Sequence, residues 1–335
     1  MSELNSIALK IISSGKGILA TDESTGTMTK RLEGVNVTSN SENRLKFRNI
    51  LFSSEAMKNC IGGVILYDET IKQKIDSQTI SEIISKTDAI PGIKVDTGVK
   101  TLSSSKEEKI TEGLDGLREK LNEYYSLGAR FTKWRGVYKI TKNLPSKVAM
   151  STNAHALARY SSLAQEARMV PIVEPEVLMD GSHDSEECFK KTSEVITKCF
   201  EELILQKVDL KGIILKPNMI LPGTDSNEKT NPEKIAELTL KCLNESVPKE
   251  VPGIAFLSGG QSEVQATENL NMINIKNNTD FIMTYSYGRA LQKNALKYWS
   301  KNQDDINGTQ ETFNHRAKMC TLAAKGQWNK EFEKN

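Results

Sequence analysis

Lys216 closes an apolar run that begins at Gly212, and Pro217 and Asn218 follow at once. A lysine in such a place is either half of an inert ion pair or, when desolvated beside another cation, a nucleophile toward a carbonyl carbon. Attack yields a Schiff base, whose protonated form draws electrons from the adjoining carbon–carbon bond and lets that bond break or form. Two other patterns carry compatible chemistry: Lys133 and Arg135 flank Trp134, and Glu174 and Glu176 flank Pro175. Residues two apart on a strand share a face at a spacing of about 6.6 Å, so each pattern presents two like charges to one side. Where those sides meet near Lys216, Glu174 is suited to deliver a proton to the hydroxyl that departs as an imine forms. Glu176 lies on the same face. Buried charges persist only when paired, so the cluster is expected to carry strongly perturbed proton affinities.

Two other stretches suit anions. "LSGGQSE" supplies Ser258, Gly259 and Gly260 ahead of a helix start at Ser262, and "SYGRA" supplies Ser286, Gly288 and Arg289. Small residues let backbone N–H groups approach a phosphate, a helix N-terminus adds a favourable dipole, and arginine adds a forked donor. Nearer the N-terminus, "TDESTGTMTKRL" gathers Asp22, Ser24, Thr27, Lys30 and Arg31. That stretch reads as a holder for a second anion or as a capped helix with surface charges, and spacing alone favours the latter.

These residues stand at the ends of eight short apolar runs, at 17–23, 62–69, 91–96, 131–137, 170–176, 212–218, 253–260 and 281–288. Helical spacing lies between them. Cys188, Thr192, Val195, Cys199 and Leu203 fall on one stripe within 184–206. Asn231 and Pro232 open a helix over 232–243, and Leu114, Leu117, Leu121 and Tyr124 mark another, as do Leu291, Ala295 and Trp299. Alternating strands and helices imply parallel pairing, and eight units are the number that closes an α/β (β/α)8 TIM barrel. One catalytic domain over 1–335, with a short tail from about 326, is the expected organisation. A doubly wound sheet is the rival, weakened by the absence of a G-x-G-x-x-G after the first strand. The polar stretch 97–112 reads as a long surface loop.

Composition narrows the function classes. With 45 basic and 43 acidic side chains interspersed along 335 residues, nothing suggests a nucleic-acid or membrane partner. The five cysteines form no C-x-x-C pair and read as reduced, mostly buried thiols of a cytoplasmic protein. His155, His183 and His315 are too scattered for a metal site, and His183, among acids in "DGSHDSEE", is expected at the surface. No metal and no cofactor is therefore expected. The first residues put Leu4, Ile7, Ala8, Ile11 and Ile12 on one helical face, unlike a signal peptide.

Taken in order, "GKGILATDESTG", "CIGGVILYDET", "GIKVD", "GLDGL", "FTKWR", "ARY", "VPIVEPE", "ILKPNM", "FLSGGQSE" and "SYGRALQ" resemble the class I, Schiff-base fructose-bisphosphate aldolases over residues 1–326. The resemblance implies that Lys216 forms the imine with the substrate ketone, that Glu174 is the acid/base with Lys133 beside it, and that Asp22 takes the proton from the C4 hydroxyl. It implies one phosphate at Ser258, Gly259, Gly260, Ser286 and Arg289, and the other end at Lys94, Arg31, Thr27 and Ser24, with Arg135 and Lys30 close by. A sugar phosphate substrate and a homotetramer follow from the same likeness. Thr27 stands where members often carry serine, which keeps the hydroxyl. Eukaryotic members end in a tyrosine that assists proton exchange, whereas the last tyrosine here is Tyr298, so proton exchange is expected to limit the rate. A metal-dependent aldolase, a transaldolase and a non-catalytic scaffold are the rivals, none with this order of motifs.

Overall fold

A computed structural model describes residues 2–103 and 105–334. The eight apolar runs form the strands β1 (Gly17–Ala20), β2 (Ile61–Leu66), β3 (Ile90–Lys94), β4 (Phe131–Tyr138), β5 (Val170–Val177), β6 (Ile214–Leu215), β7 (Gly253–Phe256) and β8 (Ile282–Tyr287). Each pairs in parallel with the next, and β1 pairs with both β2 and β8, which closes the barrel. Both faces of the sheet are covered, which is why every residue of β1, β2, β5 and β7 is buried and why the runs lack alternation. β6 pairs through only two residues because Pro217 has no N–H to offer. Single bonds extend the ladder beyond it: Lys216 donates its backbone N–H to Val173 O at 2.8 Å, and Leu257 donates to Pro217 O at 3.1 Å.

Two apolar layers hold the sheet. Outside, the helices pack on the strands, and the stripe from Cys188 to Leu203 is buried along its whole length in helix Ser185–Leu205. Inside, Ile18, Ile65, Phe131, Val170, Ile172, Ile214 and Ala255 fill the lower barrel, and the N-terminal helix Glu3–Ile12 stoppers it with Ala8, Ile11 and Ile12. Gly62 permits that closure, since a Cβ there would lie 1.9 Å from Ile11 O. The helices carry the expected caps: Ser146, Asp184, Asn231 and Ser262 each accept a backbone N–H from three residues on.

Two expectations are corrected. The stretch 97–112 is not an irregular loop but an antiparallel hairpin, Gly98–Thr101 against Lys109–Glu112, whose polar, half-exposed ribbon gave no apolar alternation to read. His183 is buried, at 6% exposure, because the chain after β5 zips to the chain after β6: Gly223 donates to His183 O at 2.8 Å and Thr224 to Met179 O at 2.8 Å. All five cysteines are free and buried.

Candidate active site

The C-terminal ends of the strands surround a cavity of about 660 Å³ lined by six cations and five carboxylates. Parallel strands all end at the same rim, so charged residues placed last in each run converge there without any long-range sequence signal. Lys133 and Arg135 both turn inward from β4, and Glu174 and Glu176 do so from β5, as the two-residue period requires. Lys216 enters from the end of β6, 95% buried, with Nζ 3.1 Å from Glu174 Oε1. The other oxygen, Glu174 Oε2, lies 3.5 Å from Lys133 Nζ and has no hydrogen-bond partner among the described residues.

Lys133 is the centre of the charge cluster. Its Nζ sits 2.6 Å from Asp22 Oδ2 and 4.0 Å from Asp96 Oδ2 as well as near Glu174. Burial would depress its proton affinity, but the carboxylates of Asp22, Glu174 and Asp96 outweigh burial and hold it well above the ordinary lysine value. Lys133 is thus a fixed cation at neutral pH. Asp22 is its mirror: burial would raise its pKa, yet Lys133, then Lys216 and Lys94, hold the carboxyl well below the usual range. Lys94 is itself paired with Asp96 at 3.3 Å, and Arg135 with Glu176 at the rim.

The remaining candidates divide into two ends. At one, Ser258, Gly259, Ser286, Gly288 and Arg289 line the cavity. Ser286 Oγ is buried without a partner among the described residues, and Gly259 adopts φ +55°, the left-handed region that favours glycine. Gly288 begins helix Arg289–Lys301 without a side-chain cap, which leaves its first N–H groups to a ligand. Arg289 Nη2 donates to Gly259 O at 2.9 Å. At the other end, Ser24 caps helix Thr25–Glu33 and Thr27 and Arg31, four apart, share its cavity-facing side with Lys94 across from them.

Two candidates fall outside this lining. Lys30 sits one position off the face that Thr27 and Arg31 share and is exposed, and Gly260 lies on the outer side of its turn, its N–H turned to Met179 Sδ at 3.2 Å. Glu23 and Asp96 line the cavity although no role was assigned to them, and Gly98 and Val99 of the hairpin join it. The signal for Asp96 was present, since it lies two residues beyond Lys94. Asp68 and Glu69, which end the second run, are engaged outside by Lys72, Tyr124 and Arg44. Among the described residues no group of three histidine, cysteine or acidic side chains is arranged to hold a metal.

Comparisons with known proteins bear on the family and the fold. Residues 3–335 match the family described as glycolytic fructose-bisphosphate aldolase class-I. A probable fructose-bisphosphate aldolase class 1 of Xanthomonas campestris is 45% identical over 333 residues, 98% of this chain and 99% of the relative. The cytosolic fructose-bisphosphate aldolase 4 of Arabidopsis thaliana is 46% identical over 97% of this chain and 83% of its own length. A solved structure of fructose-bisphosphate aldolase from Plasmodium falciparum superposes with a TM-score of 0.95 at 41% identity, covering 98% of this chain and 95% of the other.

Proposed function

Because this chain belongs to the class I fructose-bisphosphate aldolases, we propose a division of labour among its cavity residues for the reversible cleavage of fructose 1,6-bisphosphate to dihydroxyacetone phosphate and glyceraldehyde 3-phosphate. The observation that carries it is the contact of Lys216 Nζ with Glu174 at 3.1 Å, both side chains buried, inside a cation-rich pocket. The neutral amine of Lys216 attacks the ketone carbon, and Glu174 gives a proton to the hydroxyl that leaves as water. The resulting iminium withdraws the electron pair of the C3–C4 bond while Asp22 takes the proton of the C4 hydroxyl, so the aldehyde departs and an enamine remains. Protonation of the enamine and hydrolysis of the imine then release the ketone and regenerate Lys216.

A carboxylate held as low as Asp22 is a poor base at rest, and the cycle itself remedies this. Lys216 is one of the charges that hold Asp22 down. When the iminium collapses to a neutral enamine that charge disappears, so the proton affinity of Asp22 rises as the bond breaks. Lys133 stays charged throughout and steadies both carboxylates. The Ser258, Gly259, Ser286 and Arg289 end holds the phosphate of the ketone half, and Ser24, Thr27, Arg31 and Lys94 hold the other.

The domain spans 1–335, works as a homotetramer and is cytoplasmic, a location supported by the relative named cytosolic. Among the described residues no helix is long and apolar enough to cross a membrane. Incubation with substrate and borohydride followed by peptide mapping tests the assignment. Label on Lys216, and its loss with catalysis in a folded Lys216→Met variant, is expected; label on another lysine refutes it.

A further inference from the structure

Glu23 has no part in the chemistry above, yet it is the most connected carboxylate at the end of β1. Only 8% of it is exposed. Its Oε1 accepts from Arg31 and from Gln292 Nε2 at 3.0 Å, and Arg48 Nη2 lies 3.6 Å from Oε2 while donating to the backbone O of Glu23 at 3.0 Å. Gln292 is fixed in turn by a 2.7 Å bond to Ala20 O, and Arg48 by one of 2.7 Å to Thr70 Oγ1. Glu23 thereby joins three separate helices, Thr25–Glu33, Ser41–Phe52 and Arg289–Lys301, to the strand that carries Asp22.

We propose that Glu23 is a positioning residue that aims Arg31 at the far phosphate of the substrate, a role that rests on the assignment of Arg31 above. A guanidinium has five N–H donors, and Glu23 engages Arg31 through Nη1, which leaves further donors for a ligand in the cavity that Arg31 lines. An arginine on a free stem must lose its rotamer freedom when a ligand binds, and pinning one edge removes that loss beforehand. A lone carboxylate would also neutralise Arg31. Here Arg48, 99% buried, shares Glu23, so the trio keeps one surplus positive charge for an incoming anion.

The test compares fructose 1,6-bisphosphate with fructose 1-phosphate, which lacks the far phosphate. Releasing one ordered side chain corresponds to a rise of about tenfold in KM for the bisphosphate in Glu23→Gln, with kcat within about twofold and KM for fructose 1-phosphate unchanged. In an Arg31→Ala background the same substitution is expected to add nothing. Equal rises for both substrates, or no rise, overturn the proposal. An Arg31→Ala variant that does not discriminate between the substrates overturns the assignment of Arg31 and the proposal with it; a discriminating Arg31→Ala beside a silent Glu23→Gln overturns the proposal alone. Should Glu23→Gln fail to fold, Gln292→Met keeps the Glu23–Arg48 contact and is expected to raise the bisphosphate KM selectively by about threefold; no selective rise refutes the idea.

Discussion

Replacing Lys133 by methionine isolates the electrostatics of the cavity, because methionine keeps most of the stem volume and removes only the charge. The ammonium faces Asp22 at 2.6 Å, Glu174 at 3.5 Å and Asp96 at 4.0 Å, all largely buried. Removing one partner from a buried charge set costs about 3–5 kcal/mol. Unfolding entropy of roughly 2.1 cal/mol/K per residue over 335 residues gives roughly 0.7 kcal/mol/K, so a loss of about 4 kcal/mol lowers the midpoint by about 6 °C. The pH dependence carries the sharper information. Asp22 has a depressed folded pKa, so its stabilising contribution is present above the ordinary carboxylate value of about 4 and is lost as pH falls through the folded value. Lys133 has a raised folded pKa, so its contribution is present below the ordinary lysine value of about 10.4 and is lost as pH rises through the folded one. In Lys133→Met Asp22 loses its nearest cation and keeps only the more distant Lys216 and Lys94, so burial weighs more heavily, its proton affinity rises, and the variant recovers stability as Asp22 takes up a proton on acidification. The midpoint deficit is therefore expected to be largest near neutral pH and to shrink at about pH 5. Scanning calorimetry at both pH values checks this, and a deficit under about 2 °C near neutrality, or one equal at both, refutes the charge-cluster account.

Two further outcomes test the scaffold. Gly62→Ala places a Cβ 1.9 Å from Ile11 O, so helix Glu3–Ile12 must lift from the barrel floor; a loss of about 1–3 kcal/mol and faster proteolysis near the N-terminus are expected in a thermal and limited-digestion assay. His183 is held below the ordinary histidine value by burial, against weaker pull from Glu187 and Asp184, so the unfolded chain binds more protons and stability falls as pH drops through about 6.5. His183→Gln is expected to lose less stability than the parent between about pH 7.5 and 5.5 in denaturant titrations, and parallel curves contradict it.

The barrel was legible because its strands are buried on both faces, so continuous apolar runs such as Val170–Val173 and Gly253–Phe256 stand out from helical spacing. The convergence of the candidate residues was legible for the same topological reason: in a parallel barrel the last residue of each run reaches a common rim, and Lys216, Glu174, Lys133 and Asp22 do line one cavity. What escaped depended on contacts between loops. The burial of His183 comes from a backbone zipper between the chains after β5 and β6, which no local pattern encodes. Lys30 lies outside the cavity lining by one helical position, because at 100° per residue Thr27 and Arg31 share the inner face and Lys30 does not. Glu23 was visible as a strand-end acid, but its partners Arg48 and Gln292 lie 25 and 269 residues away.

The pairing of the cavity charges makes its two ends electrostatically unequal. Lys94 is met by Asp96, Arg31 by Glu23, Arg135 by Glu176, and Lys133 and Lys216 share Glu174. Among the described residues Arg289 has no carboxylate partner and donates only to the carbonyl of Gly259. On the proposed assignment, a phosphate arriving at Ser258, Ser286 and Arg289 displaces one backbone contact and gains an uncompensated charge. At the other end it meets cations already engaged, where affinity depends on how well those cations are aimed. On that assignment recognition of the ketone half leans on an arginine without a carboxylate partner, whereas recognition of the aldehyde half adds, to the single surplus charge of the Glu23 trio, the aim given by Glu23 and the cap of helix Thr25–Glu33.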